Sequence, residues 1–314
     1  MIDLELKYAI GIDIGGTYIK SGLVASSGRV LAEKKLPTLP AEGKDRIIAD
    51  ILELVALHKQ TAEKPGLSLS GIGIGTAGYV DGNGTVADAT DNIPGWAGTQ
   101  LGRLVRENTG LPVAVDNDIY MLARGEWWAG AAQSLHSFLC ISLGTGVGGC
   151  MMTEGHPYRG RNGYAVGYGH HTIIVDGASC TCGKRGCWEQ YASVTALMRL
   201  AREEYDGSRC PASAFSLFKA AREGDEKALC LVERYARYVA VGLGNLIHLF
   251  NPEAIVVGGA VTKQGDFLFD KIRKYIAREV PDIYMTPPVS IVPAKSGTMS
   301  GVLGAAKSIF DGAE

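Results

Sequence analysis

The sequence predicts an α/β fold whose basic unit is written twice, and three observations carry that prediction. Strand-like apolar runs alternate with stretches of helical periodicity. The alternation starts afresh near residue 137. Each half also wedges glycines between two strand-like runs: Asp13-Ile14-Gly15-Gly16-Thr17 in the first, and Ser142-Leu143-Gly144-Thr145-Gly146-Val147-Gly148-Gly149 in the second.

In the first half, residues 8–14 read as a buried strand. Ile19 to Ala25 gives a second after the two-glycine turn, and Arg29 to Lys35 a third, completing a meander. From about Asp45 to Lys64, Ile47, Ile48, Ile51, Leu52, Leu54 and Val55 give a helix with a broad apolar face. Strands at Leu69–Thr76 and Pro112–Val115 flank a helix near Gln100–Asn108, and a helix at Ile119–Ala131 follows. This order, β-β-β-α-β-α-β, makes a mixed sheet.

In the second half, strands at Ser137–Leu143 and Gly148–Met152 lead to an insertion of turns and cysteines over Tyr158–Gln190. Helices are expected at Val194–Tyr205, Ala212–Glu223 and Asp225–Phe250. A strand at Ala254–Val257 ends in Gly258-Gly259. A helix near Phe267–Arg278, a strand at Val289–Val292 and a helix at Met299–Phe310 complete the pattern. No flexible linker is visible, so two closely packed halves around a cleft are expected.

Composition narrows the function. Of 314 residues, 46% are hydrophobic and 20% charged, which excludes disorder. The 42 glycines are about 13% of the chain against about 7% on average, with no Gly-X-Y period. The formal net charge of −2 provides no basic field for nucleic acid or an anionic membrane, so a small metabolite is the expected partner. The N-terminal residues lack a signal-peptide pattern, and the longest apolar stretch, Tyr238 to Phe250, is shorter than the ~20 residues of a membrane span. Seven cysteines, three of them within eight residues, argue against a secreted disulfide framework and for a reducing cytoplasm.

The glycine turns are the first chemical signal. A strand ending in Asp13 and feeding Gly15-Gly16 exposes backbone N–H groups to anionic oxygen, although a plain hairpin turn reads the same way. The second turn at Gly144–Gly149 makes a paired grip on the phosphates of a nucleotide the better reading, with Asp13 organising Mg²⁺ through water. Neither turn has the P-loop form, and the second leads into a strand, unlike a dinucleotide fingerprint.

Asp116-Asn117-Asp118 lies where a strand hands over to a helix. One of these residues must cap the helix; three polar residues exceed what capping needs. Asp118 is the candidate general base on a substrate hydroxyl, with Asn117 bonding a neighbouring hydroxyl. His170 with Cys180, Cys182 and Cys187 offers three thiolates and an imidazole to a closed, structural Zn²⁺ site, the alternative being three independent thiols. Gly183 and Gly186 suit a tight knuckle between them. Trp96 fits equally as a sugar-stacking face or as an aromatic plug in a turn.

These residues together resemble the ROK family of sugar kinases, which also includes transcriptional repressors. The likeness runs nearly end to end. It comprises Asp13 to Thr17, Asn92-Ile93-Pro94-Gly95-Trp96, Asn117-Asp118, Leu143 to Gly149, Gly169-His170, the run from Cys180 through Cys182 and Cys187 to Glu189, Val257-Gly258-Gly259, and Gly301 with Gly304-Ala305-Ala306. The resemblance implies an actin-like ATPase (ribonuclease H-like) fold. It further implies two similar α/β domains around a cleft, residues 1–117 joined by the C-terminal helix 298–314, and residues 118–297 carrying the zinc-binding insertion 158–190.

By the same resemblance, the chain is an ATP-dependent kinase for the 6-hydroxyl of an aldohexose or N-acetylhexosamine. Asp118 would be catalytic; Asn92, Asn117, Asp118, His170 and Glu189 would hold sugar. Asp13, Gly15, Gly16, Thr17, Gly144, Thr145, Gly146, Gly258 and Gly259 would hold ATP and Mg²⁺, and His170, Cys180, Cys182 and Cys187 structural zinc. A homodimer is implied. With twelve residues ahead of Asp13, the repressors' DNA-binding segment is not expected.

One departure stands out. Where the family usually has Gly-Glu-x-Gly-His, this chain has Val166-Gly167-Tyr168-Gly169-His170, so a glycine occupies the place of a sugar-binding glutamate. Loss of such an acceptor costs roughly 1–3 kcal/mol for a sugar that needs it, unless Tyr164 or Tyr168 substitutes. Some N-acetylmannosamine kinases resemble this variation, as does Gly75-Thr76-Ala77-Gly78. The alternative is a sugar-sensing protein of weak catalytic power.

Overall fold

The computed structural model describes residues 6–63, 66–89, 93–205, 210–284 and 286–312. The predicted meander is present as β1 (Tyr8–Ile14), β2 (Tyr18–Ala25) and β3 (Val30–Pro37), followed by α1 (Lys44–Glu63) and β4 (Leu69–Thr76). A short hairpin that the sequence pattern did not announce, β5 (Tyr79–Val80) with β6 (Val86–Asp88), precedes α2 (Leu101–Thr109), β7 (Val113–Asn117) and α3 (Asp118–Ala129). The pattern restarts with β8 (Ser137–Leu143), β9 (Val147–Thr153) and β10 (His156–Pro157). Next come α4 (Glu189–Ala192), α5 (Val194–Glu204), α6 (Ala214–Arg222), α7 (Glu226–Phe250), β11 (Ala254–Gly258), α8 (Asp266–Glu279), β12 (Ser290–Pro293) and α9 (Ser300–Phe310).

Two five-stranded sheets result, ordered β3-β2-β1-β4-β7 and β10-β9-β8-β11-β12. In each, the central strand lies parallel to the next one across, β1 to β4 and β8 to β11. The duplication read from the glycine turns is therefore a duplication of sheet topology. Local chemistry sets the helix starts. Asn117, Ser193 and Asp225 each accept an N–H of the first helical turn, and Ser213 with Ser216 forms a capping box.

Side chains along β1 alternate as the pleat demands. Ile10 and Ile12 enter a core with Ile51, Leu54, Ile72, Ile74 and Trp96, while Ala9 meets Val302 and Ala306 on the other face. There the backbone of α9 lies almost on the sheet. A Cβ on Gly11 would sit 2.0 Å from the Val302 oxygen, and one on Gly73 1.8 Å from the Ala305 oxygen. The same helix presses on α3: a Cβ on Gly125 would meet the Ser300 oxygen at 2.0 Å, and one on Gly304 the Met121 oxygen at 1.7 Å. Part of the glycine excess is thus a packing seam for the last helix, a use the composition did not separate from turns. A second core gathers Leu139, Ile141, Trp188, Tyr235, Val239, Leu243, Ile255 and Val257 around the second sheet.

The chain divides into two compact units, one of residues 1–135, 152–166 and 295–314, the other of 136–151 and 167–294. This partition differs from the split after residue 117 that the sequence suggests. Residues 118–135 belong with the first unit because α3 packs through Gly125 and Met121 onto α9. No helix among the described residues is long and apolar enough to cross a membrane.

Candidate active site

In the first unit, β1 and β7 run parallel to β4 on either side of it, so Asp13 and the Asn117 end of β7 arrive at one edge of the sheet. Past Asp13, the Gly15 N–H donates to the Tyr18 carbonyl at 3.1 Å, and Thr38 Oγ1 donates to the Gly15 carbonyl at 2.7 Å. Gly16 lies outside the positive-φ region, and nothing comes within 4 Å of where its Cβ would be. Neither backbone conformation nor packing requires glycine there, so the backbone at Gly16 is open to close approach.

Asp13 faces Lys20 Nζ at 3.5 Å, and burial raises its carboxyl above the ordinary range despite that ammonium. Asp118, the first residue of α3, accepts the Ile119 N–H at 3.0 Å. Burial, reinforced by the charge of Asp13, pushes the Asp118 carboxyl up to about 7. Two carboxylates close enough to repel, backed by one ammonium, form a hard-oxygen donor set that fits Mg²⁺.

The neighbours of Asp118 are tied to the scaffold. Asn117 caps α3, accepting the Ile119 N–H at 2.8 Å while its amide donates to the Gly78 carbonyl at 2.7 Å. Asp116 takes Arg159 side-on, at 2.6 and 3.3 Å, a pairing across 43 residues that no local pattern reveals. Trp96 is a core plug: it is 2% exposed and donates to Thr76 Oγ1 at 3.0 Å, which removes the sugar-stacking reading. Asn92 lies outside the described residues.

In the second unit the glycine turn 144–146 joins β8 to β9. Gly144 has open space where a Cβ would be, as Gly16 does. Glu189, at the start of α4, accepts the Val147 N–H at 2.9 Å, and its Oε2 fills the place a Cβ on Gly146 would need. Gly258 is the buried last residue of β11, and Gly259, at φ 96°, lies against the Leu143 backbone, so its glycine answers to the fold.

His170, Cys180, Cys182 and Cys187 converge, their ligand atoms all within 4.8 Å of one another. Cys180 Sγ to His170 Nδ1 and Cys182 Sγ to Cys187 Sγ are both 3.6 Å. A tetrahedral Zn²⁺ with bonds of 2.0–2.3 Å sets its ligands about 3.5–3.8 Å apart, so the residues fit that ion. Gly183 and Gly186 have φ of 84° and 72°, as a tight knuckle requires. Ligation through Nδ1 leaves the Nε2–H of His170 as a donor. Gly167 has φ −74°, so no backbone demand placed glycine there, and Tyr168 is stacked on Phe250 at 5.7 Å.

The sequence pattern of the ROK family matches residues 9–311. The chain belongs to the ROK family. A glucokinase of Thermotoga maritima is 34% identical over 312 residues, 96% of each chain. A crystal structure of a ROK family glucokinase from Streptomyces griseus, in complex with glucose and AMPPNP, superposes with a TM-score of 0.85. It is 36% identical and covers 97% of this chain and 100% of its own. A ROK hexokinase from Thermus thermophilus superposes at 0.82 with 32% identity, covering 97% and 100%. This ROK chain accordingly has the actin-like ATPase fold, and the two equivalent sheets are its repeated halves.

Proposed function

We propose that this ROK protein is an ATP-dependent sugar kinase that transfers the γ-phosphoryl group to the 6-hydroxyl of glucose or N-acetylmannosamine. The observation that carries the reading is Asp118. A half-buried carboxyl with an affinity for protons near neutrality, at the strand-to-helix junction, has the properties of a general base for an alcohol. As the sugar oxygen bonds to phosphorus, its proton passes to Asp118, the bond from phosphorus to the bridging oxygen breaks, and ADP leaves.

The remaining roles follow the chemistry of each group. The turns at Gly15-Gly16-Thr17 and Gly144-Thr145-Gly146 supply backbone N–H groups to phosphate oxygens. Mg²⁺, held by Asp13 through water, would neutralise charge on those phosphates. Gly258 and Gly259 would lie along the adenosine. Asn92, Asn117, His170 through Nε2–H, and the second oxygen of Glu189 would hold sugar hydroxyls. Zinc on His170, Cys180, Cys182 and Cys187 would fix the His170 ring.

Release of ADP on adding each of glucose, mannose, N-acetylglucosamine and N-acetylmannosamine tests the reading. One or more of these sugars is expected to drive turnover. Sugar binding without ADP release for any of them would replace the kinase with a sugar sensor. Gly167→Glu returns a carboxylate that the backbone at φ −74° accepts. It is expected to raise kcat/KM for glucose relative to N-acetylmannosamine by about tenfold.

A further inference from the structure

The segment joining the knuckle to α5 grips the second glycine turn at three points. Glu189 accepts the Val147 N–H at 2.9 Å, the Val194 N–H donates to the Gly144 carbonyl at 2.8 Å, and Thr195 Oγ1 donates to the Thr145 carbonyl at 2.8 Å. The peptide bonds of this turn are trans, and a trans peptide points its C=O and its N–H in opposite directions. Holding the carbonyls of residues 144 and 145 toward α5 therefore aims the N–H groups of Thr145 and Gly146 the other way. Two successive N–H groups aimed alike make an anion-binding concavity.

We infer that Thr195 and Glu189 are positioning residues for nucleotide phosphate: Thr195, with the Val194 N–H, sets the direction of the Thr145 and Gly146 N–H groups from behind the turn, and Glu189 fixes the exit of the turn at the Val147 N–H. The inference rests on the reading of that turn as a phosphate site. It gives Glu189 a task beyond any contact with sugar: Oε2 lies where a Cβ on Gly146 would be, which also explains why residue 146 is glycine at a φ open to other residues. Thr195 is exposed, and its hydroxyl donates to the Thr145 carbonyl. Cys187 stands two residues before Glu189, so the knuckle anchors one end of the grip and the Ser193-capped start of α5 anchors the other.

The test is calorimetric binding of AMPPNP with Mg²⁺ to the full chain, without sugar, at matched zinc content. Thr195→Val is expected to weaken binding about tenfold, with Thr195→Ser restoring it, and the KM for sugar at saturating ATP is expected to stay within twofold in both. Glu189→Ala should weaken AMPPNP similarly, while Glu189→Gln, which keeps an acceptor for the Val147 N–H, should bind near wild type. Wild-type affinity in both Thr195→Val and Glu189→Ala, or failure of the serine to rescue, overturns the inference and leaves the kinase reading standing. A wild-type chain that binds no AMPPNP overturns the phosphate reading, and the inference with it.

Discussion

The two ends of α3 carry two acids, and their surroundings differ in kind. At the first turn Asp118 is half-buried beside Asp13 and accepts the Ile119 N–H. Eight residues on, Glu126 is fully buried, yet its carboxylate accepts the N–H groups of Ala131, Lys295 and Ser296 at 2.8–3.0 Å and the Ser300 hydroxyl at 2.5 Å. Burial alone does not decide what an acid does. Donors decide: an acid sated with N–H groups is a structural clamp, and one left short of them beside a second acid keeps an appetite for a proton.

Exchanging the acids for neutral residues tests the contrast most severely. Asp118→Ala is expected to lower kcat by about 10³-fold or more with the fold retained, as removal of a general base does, measured by coupled ADP release. Glu126→Ala should do the opposite, taking the acceptor from three backbone N–H groups and costing on the order of 3 kcal/mol, read as a lowered melting temperature. Glu126→Gln, which keeps two lone-pair sites on one oxygen, should cost less.

The smallest effect is the most diagnostic. Folded Asp118 holds its proton up to about 7, whereas in the unfolded chain it releases it near 4. Between those values the folded state binds more protons, so this group's contribution to stability falls as pH rises from about 4 to about 7. Asp118→Asn cannot ionise, and at pH 8 it is expected to melt higher than wild type, with the difference vanishing toward pH 4. In the wild type, kcat/KM should fall about tenfold per pH unit below pH 7 as the base protonates.

Strand and helix order was legible because each element buries one face and carries its period openly, as Ile47, Ile51 and Leu54 do on α1. Asp13 and Asp118 stand out as candidates, and the convergence of Cys180, Cys182 and Cys187 was legible, because short-range spacing sets them. What stayed hidden is pairing at a distance. Asp116 with Arg159, and Glu126 with Lys295 and Ser296, join residues 43 and about 170 positions apart. The β5–β6 hairpin was too short to show a period. Trp96 was undecided because a sequence does not say which way a ring turns. The glycines misled in part: Gly11, Gly73, Gly125 and Gly304 make room for α9, whereas Gly16 and Gly144 have open space where a Cβ would be.

The seam under α9 bears on how the molecule is made. The backbone of residues 300–306 fits against Gly11, Gly73 and Gly125, which lie about 175 to 290 positions earlier in the chain. During vectorial synthesis the first sheet emerges early but waits, one face uncovered, until residues 300–310 follow. Residues 136–151 and 167–294, the second compact unit, are complete by then. The order of assembly is thereby inverted relative to the order of translation: the half that begins first is finished last.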